Sequence, residues 1–150
     1  MKKGKLSKIL GVAAFAAFSA VAAYADHDEF TTDASRLPAP ALETIKKAYP
    51  DAKVVGIEID KGFSTEYEVR LSDGTKLDFN SGGDWESVEN KAAGAADMFV
   101  PDFAKKYVAE KFSGQKITKV SKKAYGFEVD ISNGLEIKFD KEGKVIGIDD

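Results

Sequence analysis

The 150-residue sequence contains no cysteine. Disulfides, thiolate nucleophiles, thiolate metal sites and the lipid-bearing cysteine of an anchored lipoprotein are therefore excluded, and stability must come from a packed core. Histidine is nearly as scarce. His27 is the only one, in the acid-rich run Asp26-His27-Asp28-Glu29. A single histidine there cannot furnish a Ser–His or Cys–His nucleophile pair. Beside a free amine it offers at most a weak copper or nickel site, and a solvated tail is the simpler reading. Excess positive charge is also missing: the formal net charge is −3. Nucleic acid and anionic membrane surfaces demand a basic footprint, so neither is expected as a partner.

Long apolar runs are confined to one place. Lys2, Lys3, Lys5 and Lys8 precede an apolar stretch from Ile9 to Val21, and Ala23-Tyr24-Ala25 follows with small residues at the two positions a signal peptidase reads. The stretch is short of the roughly 20 residues a permanent span requires. Residues 1–25 are thus expected to be a signal peptide cleaved between Ala25 and Asp26, giving a periplasmic or secreted protein with no membrane anchor in its mature form. Removing them takes four lysines and no acid from 22 basic and 25 acidic side chains, leaving a net charge of −7. That balance favours cationic partners.

What remains is written twice. The segment beginning Leu37-Pro38 aligns with the one beginning Val100-Pro101 at an offset of 63, pairing Ile45 with Val108 and Tyr49 with Phe112. Further on the offset is 60, pairing Val69 with Val129, Gly74 with Gly134, Phe79 with Phe139 and Gly83 with Gly143. The difference falls in one turn, "DKGFST" against "KKAYG", where length changes are tolerated.

Each copy predicts a helix followed by four strands. Proline suits the first turn, a stripe at Leu42, Ile45 and Tyr49, or at Ala104, Tyr107, Val108 and Phe112, marks one buried face, and Pro50 and Gly114 end the helices. Val55, Ile57 and Ile59 alternate, as do Tyr67, Val69 and Leu71, then Leu77 and Phe79. Copy two answers with Phe127, Val129 and Ile131, then Leu135, Ile137 and Phe139. Asp73-Gly74 and Asn133-Gly134 are hairpin turns. Short fourth strands run from Trp85 to Val88 and from Val145 to Ile148. The expectation is one α+β domain: a largely antiparallel sheet of about eight strands, both helices on one face, and a shared core. Repeat 1 spans 37–88, a linker 89–99, and repeat 2 spans 100–150. Residues 26–36 are polar, unpatterned and expected to be mobile.

The stretch "DFNSGGDWESVE", residues 78–89, imitates a calcium loop, with Asp78, Asn80, Gly83, Glu86 and Glu89 at ligand or glycine positions. An EF-hand requires flanking helices, whereas a strand precedes this stretch, and the second copy has Lys138 in place of the first ligand. A turn joining two strands is the preferred reading, with Asp78, Asn80, Asp84 and Glu86 as the weak metal alternative. No cofactor is called for. The strands' wet side is more informative. It carries Glu66, Glu68, Arg70, Lys76, Asp78, Glu128, Asp130, Glu136, Lys138 and Asp140, seven acids against three bases. Acids alternating along amphipathic strands are ordinarily a solvated sheet face rather than catalytic pairs, so an enzyme is not expected. Trp85 is core if buried and the anchor of a binding site if exposed.

The pattern "LPxxxxxxIxxxYPxAK…YEVxLxDGxxxxFxxxGxW", repeated with "VP…FEVxIxNGxxIxFDxxGxxxxI", resembles the PepSY-like, beta-lactamase-inhibitor-like exported proteins of Bacteroidetes-type bacteria, from Leu37 to the C-terminus. The resemblance implies a two-repeat sheet with helices on one side, a periplasmic or secreted address, and an open sheet face that holds a protein partner, as in beta-lactamase inhibitor proteins. It supplies no catalytic residues. The sequence thus leads to an exported non-catalytic binding module acting on an envelope protein, with a hydrolase it restrains as the expected partner. Calcium or small-ligand binding is the alternative, and self-association through a sheet edge is a third route.

Overall fold

A computed structural model describes residues 28–150, so the signal-peptide reading and His27 lie outside the described residues. Nine strands form one antiparallel sheet in chain order: β1 (Asp28–Thr31), β2 (Val54–Lys61), β3 (Thr65–Leu71), β4 (Lys76–Phe79), β5 (Trp85–Glu89), β6 (Ile117–Lys123), β7 (Gly126–Ile131), β8 (Glu136–Asp140) and β9 (Val145–Asp149). Helix α1 (Ala39–Ala48) connects β1 to β2, and α2 (Asp102–Lys111) connects β5 to β6. The α+β class and the doubling are as the alternation and turn signals require.

The duplication reaches individual hydrogen bonds. Pro38 and Pro101 stand just before the two helices, and the Tyr49 and Phe112 amides close them on Ile45 and Val108, each at 2.8 Å. The Lys53 and Lys116 amides donate to the hydroxyls of Ser72 and Ser132 at 2.9 and 3.0 Å. Irregular register recurs at Val54/Gly56 and Ile117/Lys119, and again at Asp78/Phe79 and Lys138/Phe139. Bulges retained in both copies are features of the unit, since each re-aims a strand.

Two expectations need correction. First, residues 26–36 were expected to be mobile, yet Asp28–Thr31 is a ninth strand paired with β2 and Ala34–Arg36 is a 3-10 turn. Tertiary contacts supply what local propensity does not. Glu29 is clamped by Arg36 and, at 2.7 Å, by Lys61, which pulls its carboxyl down to about 2. Asp33 caps the turn by accepting from the Ser35 amide at 3.0 Å.

Second, the core is not one continuous mass. Leu37, Ala41 and Ile45 pack with Ile57, Val69, Leu77, Phe79, Val88 and Phe99, whereas Val100, Ala104 and Val108 pack with Val120, Val129, Ile137 and Phe139. Trp85 and Ala95 touch both groups. Each helix covers the sheet of its own repeat, so each repeat keeps its own buried cluster.

Candidate functional site: the open face of the sheet

With both helices on one side, alternate strand residues face solvent on the other. Cross-strand register puts Glu58 opposite Glu68, Glu68 opposite Asp78, and Asp78 opposite Ser87, which lies opposite Ser121 across the junction of the repeats. A cleft of ≈ 450 Å³ opens over this row. Glu58, Asp60, Glu66, Glu68, Asp78 and Glu86 line it, with Lys119, Lys122 and Lys123 at its β6 side. The wall is acidic on repeat 1 and basic on β6.

The carboxylates crowd one another. Burial, then the charges of Glu68 and Asp28, push Glu58 up to about 7, against a partial pull from Arg70. Glu86 is also raised, by burial first and then by Glu66 and Asp78. Among the described residues no lysine or arginine is within salt-bridge reach of Glu58, Glu66 or Glu86. Glu68 meets Arg70 at 2.7 Å, and Asp78 accepts from the Ser87 hydroxyl at 2.8 Å.

The open half of repeat 2 is neutralised instead. Lys138 reaches Asp149 at 2.7 Å and Glu136 at 3.9 Å, and Glu128 takes Lys123 at 3.4 Å and the Tyr125 hydroxyl. In repeat 1, Lys76 meets Glu89 at 3.5 Å. Three residues expected on the binding face do not present themselves there. Asp130 is only 7% exposed. Asp140 turns its carboxylate into the β8–β9 turn, accepting from the Glu142 and Lys144 amides at 2.9 Å each. Trp85 lies opposite Phe79, which is fully buried, and stacks edge-on against Phe99 at 5.0 Å, with the Lys122 ammonium 4.1 Å from its ring centre. Trp85 therefore bridges the two clusters.

The calcium-like stretch is a turn. Asn80 uses its side-chain oxygen to accept from the Gly82 and Asp84 amides at 3.0 Å each, the same device Asp140 uses in repeat 2. Gly83 has φ +89°, and a Cβ there would come within 2.9 Å of Pro38, so glycine is required sterically as well as conformationally. Asp78 sits on the sheet face, Asn80 is committed to the turn and Asp84 is exposed outside it. The four are not gathered around one point. Among the described residues no group of three or more His, Cys, Asp or Glu is arranged to hold a metal ion.

Sequence reasoning did not place Glu58, Asp60 or the three β6 lysines on this face, and named Glu86 only as a metal candidate, because only the middle strands were projected onto the face. It also missed Asn90, which is 3% exposed. Its amide donates to Thr118 O at 2.9 Å, its side chain donates to the Thr75 hydroxyl at 3.0 Å, and its oxygen caps the Ala92 and Ala93 amides. An asparagine heading a run of small residues was the available signal.

A helix-on-sheet duplication with an open polar face defines a class of small two-repeat proteins. This chain belongs to the family described as "Putative beta-lactamase-inhibitor-like, PepSY-like", whose profile matches residues 18–72 and 65–147. Similar solved structures include a "putative periplasmic protein of unknown function" from Bacteroides vulgatus ATCC 8482, 35% identical, covering 82% of this chain and 99% of that one at TM-score 0.78. A second protein of that organism, from the DUF2874 family and also described as a "putative periplasmic protein", is 37% identical over 84% and 99% of the two chains, at TM-score 0.76. A "putative calcium-regulated periplasmic protein" from Bacteroides thetaiotaomicron is 30% identical over 82% and 97%, at TM-score 0.76. No curated protein of assigned function matches. Among the described residues no helix is long and apolar enough to cross a membrane.

Proposed function

We propose that this chain is an exported, non-catalytic protein-binding module that takes an envelope protein onto the open face of its sheet, over the repeat 1 cleft. The observation that carries this reading is the set of cleft carboxylates, Glu58, Glu66 and Glu86, none of which forms a salt bridge among the described residues. Burial and neighbouring acids hold Glu58 and Glu86 above the ordinary carboxylate range, and a lysine- or arginine-bearing surface would relieve them while supplying specificity and a faster encounter. The family's inhibitor-like description makes restraint of an envelope hydrolase the form such binding would take. The basic-apolar-small leader and the periplasmic descriptions of three similar proteins support the address.

Capture from envelope extract, with wild type against the Glu66→Lys/Glu86→Lys double variant, tests the reading. A protein retained by wild type and released by the variant or by added salt is expected. Identical captures from both would end it, because steering by a charged rim is salt-sensitive.

Calcium binding is the second reading, favoured by the relative described as calcium-regulated. Saturation at 100 times the dissociation constant would add about 2.7 kcal/mol of stability. An unchanged melting temperature in millimolar calcium disposes of it.

A further inference from the structure

The order of the sheet contains an asymmetry that the duplication makes interpretable. In the middle of the molecule, the last strand of repeat 1, β5, receives the first strand of repeat 2, β6, pairing Ser87 with Ser121, Val88 with Val120 and Glu89 with Lys119. At the N-terminal end, β1 plays the β5 part. It precedes a helix as β5 does, and it covers the outer edge of β2 with Thr31 opposite Ile57, as Val88 lies opposite Val120. Both first strands are thus capped. The last strand of repeat 2, β9, is the equivalent of β5 and, among the described residues, has only β8 beside it.

The β5 edge shows what the β9 edge is built to do. The Asn90 amide donates to Thr118 O across the junction, so alternate residues of this strand, Val88 and Asn90, aim their backbone groups at β6. By the offset of 60, Ile148 and Asp150 aim theirs away from β8, at the open edge. The guards of that edge are confined to its end, where Asp149 and Asp150 stand. Val145-Ile146-Gly147-Ile148 carries no charge or proline, and Ile146 and Ile148 are 51% and 42% exposed.

We propose that the β9 edge pairs with the β9 edge of a second copy of this chain, antiparallel about a two-fold axis at Ile148. This register sets Ile148 against its symmetry mate, Asp149 across from Gly147 and Asp150 across from Ile146, so no carboxylate faces another. Head-to-tail stacking of β9 on β1 would instead bring Asp28 and Glu29 alongside Asp149 and Asp150. The outcome is a closed dimer with a sheet continuous through both copies, and an open filament is disfavoured. The contact is short, so the association is weak and concentration-dependent.

Sedimentation velocity on protein purified after expression of the full chain tests this directly. Wild type shifts from monomer towards dimer as concentration rises, whereas Ile148→Lys and Ile148→Pro remain monomeric at every concentration. Proline is tolerated where an edge amide faces outward, so the second variant keeps the fold while removing the donor. Because the chain has no cysteine, Ile148→Cys is a clean probe: paired residues there would have Cα atoms about 5.5 Å apart, within disulfide range. Mild oxidation links this variant into a covalent dimer at least tenfold faster than Phe63→Cys, whose site in the β2–β3 turn is 109% exposed. A monomer throughout, a dimer that survives both Ile148 variants, or equal crosslinking rates would each overturn the proposal.

Discussion

The two repeats agree in their hidden parts and differ in what they show. Outside the β2–β3 and β6–β7 turns, their turns, caps and bulges coincide, and Phe79 and Phe139 occupy equivalent, fully buried places. On the open face the same positions have diverged in charge. Glu58 corresponds to Ser121, Asp60 to Lys123, Arg70 to Asp130, and Glu86 to Ile146. One copy keeps a crowded acidic cleft and the other a neutralised surface. Apart from those turns, sites that set the backbone agree between the copies, whereas positions that face solvent diverged after duplication, which is where a function can be localised. The largest test of the shared part is a matched pair. Phe79→Ala and Phe139→Ala should each cost about 4 kcal/mol, since both delete a fully buried ring. Chemical denaturation reads the two losses, and a difference of more than about 1 kcal/mol would break the equivalence of the clusters.

A sharper contrast lies at a position where the copies differ in backbone. Gly126 has φ +150°, and a Cβ there would sit 2.2 Å from the Phe139 carbonyl oxygen, so this glycine is fixed by sterics. Its counterpart is Glu66, an ordinary exposed strand residue. Gly126→Ala should cost about 3 kcal/mol, from a conformation essentially reserved for glycine, while Glu66→Ala should stay within about 0.5 kcal/mol. The shorter turn of repeat 2 is what forces the unusual angle, so inserting the three missing residues beside Gly126→Ala should recover much of the loss.

Trp85 marks a further departure, because Val145 stands in its place in repeat 2. Replacing it with Val makes the copies alike and removes the side chain that touches both clusters. A loss of about 2 kcal/mol is expected, together with a broader calorimetric transition as the halves uncouple. A transition of unchanged sharpness would mean that the pairing of β5 with β6 alone couples them.

Legibility followed the strength of local signals. Alternating apolar residues around Asp73-Gly74 and Asn133-Gly134 left little freedom, so the helices and eight strands could be read directly. Strand β1 escaped because Phe30 is the only large apolar residue in it; the strand exists through Glu29's partners and the free edge of β2, which are tertiary facts. The facing of Trp85 was undecidable from "GGDW". The register slip lies beyond it, at Glu86, and that slip sends Trp85 to the helices and Glu86 to the cleft. The acidic face was anticipated, but not its concentration in repeat 1. Which carboxylates find a lysine depends on how neighbouring strands are registered, and β2 and β6 had not been projected onto that face.

The smallest effect concerns the cleft itself and separates the copies by pH. Glu58 titrates near 7 in the folded chain against an ordinary value of 4.5, because burial and the charges of Glu68, Asp28 and Asp60 oppose its ionisation more strongly than Arg70 assists it. A carboxyl with a raised folded pKa binds more protons folded than unfolded between those values. Its contribution is therefore full below about 4.5 and is lost as pH climbs to about 7. Ser121, its counterpart, cannot titrate. Melting temperatures measured from pH 4 to 8 should fall across this window in wild type, and the fall should be shallower in Glu58→Gln, which melts higher than wild type above neutrality. Superimposable profiles would show that solvent reaches Glu58 and that the carboxylates of the cleft do not strain one another. A basic partner would then gain little by docking there.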